Sequence, residues 1–191
     1  ILTLSMGIRH GFGLWLQPIT STQGWTRETF AFAIALQNLA WGAATPIAGL
    51  LADRFGALRV LLVCSLLYAA GLVSMALAQT GLAFTASAGL VLGLALAGST
   101  YAVVYGVIGR TVPESQRSWA MGVTAAAGSF GQFLMVPVEN WLIDTLGWQQ
   151  ALIALGAAVL TMAPLAWGLR EPAHPRGSAA QQSVFAALRE A

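Results

Sequence analysis

Six runs of predominantly apolar residues, each bounded by charges or turn residues, divide this chain almost from end to end. They cover 1–19, 30–52, 58–78, 82–109, 119–143 and 149–169. A bilayer hydrocarbon core about 30 Å thick needs on the order of 20 apolar residues per helix, and a helix satisfies its own backbone polar groups without water. The runs therefore predict an all-α polytopic membrane protein with six transmembrane helices. Short connections are expected at 20–29, 53–57, 79–81, 110–118 and 144–148.

Composition excludes the soluble alternative. Charged residues make up 8% of the 191-residue chain, against roughly 25% in a soluble domain. Hydrophobic residues make up 57% and the mean hydropathy is +0.72. A water-soluble domain of this size would leave large apolar patches exposed. All nine basic residues are arginine and the net charge is only +2, so no nucleic-acid-binding surface follows. The single cysteine, Cys64, lies inside an apolar run, where it is expected to pack as a small hydrophobe. The chain opens at Ile1 without a basic leader and stops inside an unfinished segment, 183–191, so both ends are expected to be cuts from something longer.

The arginines orient the bundle. Arg54 and Arg59 flank the loop between runs two and three, Arg110 and Arg117 the loop between four and five, and Arg170, Arg176 and Arg189 follow run six. The opposite side carries Arg27. By the positive-inside rule both ends of the chain are expected in the cytoplasm, with the bacterial inner (plasma) membrane as the location. Trp25, Trp141 and Trp148 are expected in an aromatic belt at the outer surface.

An internal repeat adds symmetry. Pro46, Asp53 and Gly56 close run two with the pattern P-x6-D-x2-G, and Pro137, Asp144 and Gly147 close run five with the same pattern 91 positions later. Leu51 and Leu142 share that offset, as do Gly7 and Gly98. Three spans separate the copies, an odd number, so the second copy is expected upside down: an inverted 3+3 repeat.

The loop between runs two and three reads Gly49-Leu50-Leu51-Ala52-Asp53-Arg54-Phe55-Gly56-Ala57-Leu58-Arg59. It resembles the G-x-L-A-D-R-x-G-x-x-[KR] signature of major facilitator superfamily transporters, in the loop where that family carries it. Ala57 departs from the pattern, since many members have a basic residue there. The resemblance implies half of a twelve-helix fold: an N-terminal six-helix bundle at 1–169, then a cytoplasmic linker at 170–191 toward a missing C-terminal half. It also implies a conformational latch at Gly49, Asp53, Arg54, Gly56 and Arg59. There Gly49 admits a neighbouring helix, Gly56 makes the turn, and Asp53 offers a carboxylate to a helix N-terminus or an arginine. The segments Gly7-Ile8-Arg9-His10-Gly11-Phe12-Gly13 and Gly128-Ser129-Phe130-Gly131-Gln132-Phe133 look most like the oxalate/formate and monocarboxylate branch.

A charged group at membrane depth costs about 2.5 to 3.5 kcal/mol on insertion scales, which makes it a functional candidate. Arg9 is expected to be the only charged group of this depth, with Gly7, Gly11 and Gly13 leaving its guanidinium open as a bidentate clamp for a carboxylate. The bland reading of Arg9 is snorkelling or a bond to a helix carbonyl. His10 points about 100° away around the helix and is a candidate proton relay or a packing residue. Tyr101 and Gln132 are expected to line the cavity, while Gln37, Asn38 and Tyr105 read equally as interhelical glue. Pro46 and Pro137 are expected hinge points, Pro164 a further kink, and Gly93 part of a small-residue packing ridge. Glu139, near the outer end of run five, is a candidate for proton coupling but is expected rather to be a wet interfacial carboxylate.

No H-E-x-x-H, Walker or G-x-G-x-x-G pattern is present, so no metal site or cofactor is expected. An intramembrane serine protease built on Ser99 lacks a histidine on a neighbouring helix, the two histidines being His10 and His174. The expected activity is secondary active transport of small organic anions, mono- or dicarboxylates, by alternating access, as antiport or proton symport. The expected partners are such a solute, the lipid bilayer and the missing half. Carriage of a drug, sugar or amino acid, a passive membrane scaffold and an intramembrane enzyme are the alternatives.

Overall fold

The computed structural model describes residues 1–169. The linker expected at 170–191 lies outside the described residues, with Arg170, Arg176, Arg189 and His174.

Helices form where apolar runs were found. Span α1 is built from Leu2–His10, a 3-10 segment at Gly11–Trp15, and Leu16–Gln23, and it ends on Gly24. Span α2 is Arg27–Phe55, capped by the Thr26 hydroxyl, which accepts from the Thr29 N–H at 3.3 Å, with Glu28 in its first turn. Span α3 is Ala57–Ala76. Span α4 runs through Gly81–Phe84, a π-helical turn at Thr85–Val91, Leu92–Ser99 and, beyond an extended Thr100, Tyr101–Thr111. Span α5 is Glu114–Leu146. Span α6 comprises Trp148–Leu160, Met162–Ala166 and Trp167–Leu169.

Five of the six are single helices or helical stretches long and apolar enough to cross a membrane: Arg27–Phe55, Ala57–Ala76, Gly81–Thr111, Glu114–Leu146 and Trp148–Ala166. The pieces of α1 have nine, five and eight residues, which together also reach across a core about 30 Å thick. The chain is thus an all-α, integral membrane protein.

Two turns are built alike. Gly56 joins α2 to α3 at φ 90°, ψ 142°, and Gly147 joins α5 to α6 at φ 78°, ψ 158°. A side chain is strained in this region of the map, so glycine is required at both. In each, the glycine N–H closes the preceding helix onto the carbonyl four residues back, Ala52 at 2.9 Å and Ile143 at 3.0 Å.

The helices are not all continuous, as the apolar runs had suggested. Helical structure passes unbroken through Pro46 and Pro137, whereas α1 and α4 are interrupted. The interruptions survive because other spans take over the freed backbone groups. Ser5 of α1 donates its hydroxyl to the Ser99 carbonyl at 2.9 Å, and Gln37 of α2 donates its amide to the Ala88 carbonyl at 2.8 Å, inside the π-helical turn. In α6, Pro164 has no N–H for the Leu160 carbonyl, and the helix stops there and restarts at Met162.

Packing pairs α1 with α5, α2 with α4, and α3 with α4 and α6. Small residues set the close approaches. A Cβ on Gly93 would stand 2.7 Å from the Gln37 carbonyl oxygen of α2, one on Gly7 would stand 2.6 Å from the Gly131 carbonyl oxygen of α5, and one on Gly131 would collide with the Thr3 backbone. Trp15, Tyr68, Phe84, Leu96 and Leu152 fill the common core. The broad faces of α2 and α5 stay uncovered, carrying Phe32, Leu39 and Leu50 on one and Trp119, Phe133 and Trp141 on the other. Trp148 was expected in the outer belt; it is buried instead, because the Gly147 turn sets the start of α6 against the end of α3, where Gln149 donates to the Ala76 carbonyl at 3.3 Å.

Candidate solute-binding site

Arg9 closes the first segment of α1 and is half-buried. Its Nη2 donates to Asn38 Oδ1 on α2, and its guanidinium lies over the Trp41 ring, 4.6 Å from the centroid. Asn38 and Trp41 are three residues apart on a helix, so both project toward α1. Asn38 is oriented in turn by donating its amide to the Ile34 carbonyl at 3.0 Å. The Trp41 indole donates to Thr100 Oγ1 at 3.3 Å, at the break in α4. Arg9 is therefore held from one side by α2, and through Trp41 it is tied to the interruption of α4. Its Nε is buried and has no hydrogen-bond partner. A guanidinium so held keeps donors for a further acceptor, and a planar carboxylate is the shape that the fork fits.

The other expected contacts are placed unevenly. Tyr101, the first residue after the α4 break, is half-buried, packs its ring at 5.4 Å from that of Tyr105, and sets its hydroxyl against Gly128 of α5. Gln132, one turn further along α5, is half-buried and has no hydrogen-bond partner among the described residues. His10 is exposed and likewise makes no hydrogen bond or ion pair among them. No hydrogen bond or ring contact joins Arg9 to Tyr101 or Gln132. Gln37 and Asn38 do bind other spans, one at the π-helical turn of α4 and the other at Arg9.

At the other end of the motif, Asp53 accepts from Arg110 Nη1 at 2.6 Å, joining the end of α2 to the end of α4. Arg54 lies over the ring of Phe55 at 5.2 Å, and Arg59 is exposed. Ala57, which departs from the family pattern, is buried as the first residue of α3. No helix among the described residues approaches Gly49, and a Cβ there would meet open space.

Glu139 corrects the sequence reading. It is 0% exposed, not a wet interfacial carboxylate, and Arg9 is not the only ionisable group at depth. Its Oε2 accepts from the Trp15 indole at 2.7 Å, and its Oε1 has no partner. Because α5 continues to Leu146, Glu139 sits seven residues, about 10 Å, inside the helix end. The missing side chain of Gly11 leaves room for the carboxyl, and a Cβ there would stand 2.6 Å from Oε1. Trp15, Trp41, Thr100 and Tyr68 were not singled out from the sequence. The spacing of Asn38 and Trp41 on one face of α2 was a usable signal for the second of these.

Six helical spans, five of them long and apolar enough to cross a membrane, with polar side chains between them and glycine-made turns at two of their ends, define a polytopic membrane protein. The sequence profile of the Major Facilitator Superfamily matches residues 1–191, and the chain belongs to that superfamily, whose members are transporters and not enzymes. It is 32% identical to monocarboxylate transporter 11 of Mus musculus over 165 residues, 84% of this chain and 36% of that protein. It is 29% identical to the human protein of the same description, over 84% of this chain and 34% of that protein. To a protein of Cupriavidus necator described as a probable sulfoacetate transporter it is 29% identical, over 80% of this chain and 33% of that protein. The chain spans about a third of the length of the curated relatives it matches.

Proposed function

We propose that this chain is the N-terminal six-helix half of a secondary transporter that carries small organic anions, mono- or dicarboxylates, by alternating access, as antiport or proton symport. The observation that carries the reading is Arg9: a guanidinium within a membrane-spanning bundle, oriented by Asn38 and Trp41, with a buried Nε left free. The printed descriptions of the relatives, monocarboxylate and sulfoacetate transport, are of matching chemistry. In this reading Arg9 clamps the carboxylate, Tyr101 and Gln132 line the path from the α4 and α5 sides, and His10 faces the half contributed by the rest of the protein.

The same proposal includes an inverted 3+3 arrangement, supported by the matched turns at Gly56 and Gly147 and the 91-residue offset between them. Asp53, Arg54, Gly56 and Arg59, with Gly49, form a latch at the cytoplasmic mouth, where Asp53 already holds Arg110. Pro46 and Pro137 supply symmetric weak points in α2 and α5, and Gly93 a smooth contact between α4 and α2. The arginine distribution supports a reading in which both ends of the chain face the cytoplasm at a bacterial inner membrane, with 170–191 leading to the second half.

Ligand-induced thermal stabilisation of the purified full-length protein tests the binding step. Sulfoacetate and L-lactate are expected to raise the melting temperature while their amides do not. Arg9→Gln is expected to weaken carboxylate affinity by about 10- to 100-fold, the equivalent of a charged hydrogen bond of about 1.5–3 kcal/mol. Equal stabilisation of wild type and Arg9→Gln would remove Arg9 from the site.

A further inference from the structure

Among the described side chains, two buried polar atoms lack any hydrogen-bond partner: Arg9 Nε and Glu139 Oε1. The first is absorbed by the anion site. The second is not, and its surroundings are specific. Glu139 is fully buried; its Oε2 is held by the Trp15 indole at 2.7 Å, and the face of Gly11 closes over both carboxyl oxygens. Gly11 and Trp15, which both meet this carboxyl, are the first and last residues of the 3-10 segment of α1.

Among the described residues no cation pairs with this carboxyl. Tyr68 of α3, fully buried, is the ionisable group within electrostatic range of Glu139, and Arg9 is the cation that α1 carries. The Tyr68 hydroxyl is committed to the Ser5 carbonyl at 3.2 Å, and Arg9 to Asn38. Asp144, further along α5, is held by Asn140 at 2.9 Å, and α6 carries no ionisable residue between positions 148 and 169. A buried carboxylate with one bare oxygen and no counter-ion is expensive, and a proton on that oxygen removes the charge. A cavity of about 480 Å³ lies nearby between α1 and α5, lined by Gly13, Gln17, Ser21, Asn140, Ile143 and Asp144 and not by Glu139 itself. Ile143 is one helical turn beyond Glu139 on the same face, and Gly13 two residues beyond Gly11.

We propose that Glu139 is a proton-binding site of this carrier, loaded and emptied at Oε1, with Trp15 holding Oε2 in both states. On loading, the carboxylate takes one proton from water to become a neutral acid; on emptying, it returns the proton to water. The coupling to anion transport rests on the function proposed above; proton binding at Glu139 does not.

The test uses the full-length protein in two arms. In the first, intrinsic tryptophan fluorescence is titrated with pH in detergent, without solute. Wild type is expected to show a transition that disappears in Glu139→Gln, where the carboxyl is gone, and in Trp15→Phe, where the reporter is gone. Infrared difference spectra across the same pH range serve as the second measurement: the C=O stretch of a neutral carboxylic acid is expected in wild type and, shifted by loss of the indole bond, in Trp15→Phe. That variant decides the matter should Glu139→Gln fail to fold. A fluorescence transition unchanged in Glu139→Gln, no carboxylic acid band, or a transition that follows sodium at constant pH would overturn the proposal. In the second arm, proteoliposomes are given labelled L-lactate or sulfoacetate with an inward proton gradient, and Glu139→Gln is expected to lose the acceleration that the gradient gives wild type. Acceleration kept in the variant would overturn coupling at Glu139. Should wild type move neither anion, the anion reading fails, while the first arm still decides whether Glu139 binds a proton.

Discussion

The turn at Gly56 and the turn at Gly147 share one backbone and have two electrostatic settings. Both put glycine at positive φ, both close the preceding helix with an N–H bond of 2.9 or 3.0 Å, and both carry an aspartate three residues before the glycine. Asp53 reaches across to Arg110 at the end of another span, whereas Asp144 is held within its own helix by Asn140. The backbone follows from the local pattern, which recurs. The side-chain partner follows from what a neighbouring span offers, and among the described residues no arginine pairs with Asp144. Identical local geometry therefore serves a cross-helix tie in one copy and a plain helix end in the other.

The largest expected effect falls on what the two turns have in common. Gly56→Val and Gly147→Val each force a branched side chain into a glycine-only region, and each is expected to cost about 1–3 kcal/mol of stability by reversible unfolding. A large effect at one turn and none at the other would break the equivalence. Next comes what separates them. Asp53→Asn and Arg110→Gln are expected to cost about 0.2–1 kcal/mol each, because the pair is partly exposed, and a double-mutant cycle should recover a coupling that weakens with salt. Additive single effects would mean that the tie contributes nothing. The smallest effect is expected for Asn140→Ala, which removes a bond between residues four apart on one helix, about 0.2–0.5 kcal/mol with no coupling to any other span.

The spans and both turns were legible because each depends on local chemistry: run length against bilayer thickness, and a glycine where no side chain fits. The interruptions of α4 were not, since the apolar run through 82–109 is unbroken in the sequence. What permits the breaks is remote, Gln37 and Ser5 supplying donors from α2 and α1 to the Ala88 and Ser99 carbonyls. Arg9 stood out as a charge in an apolar run, and its tie to Asn38 joined two residues already noted. Glu139 was noted too, but its burial depends on how α5 is rotated against Gly11 and Trp15 of α1. Helical periodicity along one chain carries no record of that rotation.

The account stands on Arg9 as the anion clamp of a solute carrier. Counterflow of labelled L-lactate and sulfoacetate in proteoliposomes of the full-length protein, wild type beside Arg9→Gln, measures this most directly. Rapid exchange of at least one of these anions in wild type, lost in the variant, is the result expected. Exchange of neutral or cationic solutes with both anions ignored would contradict it.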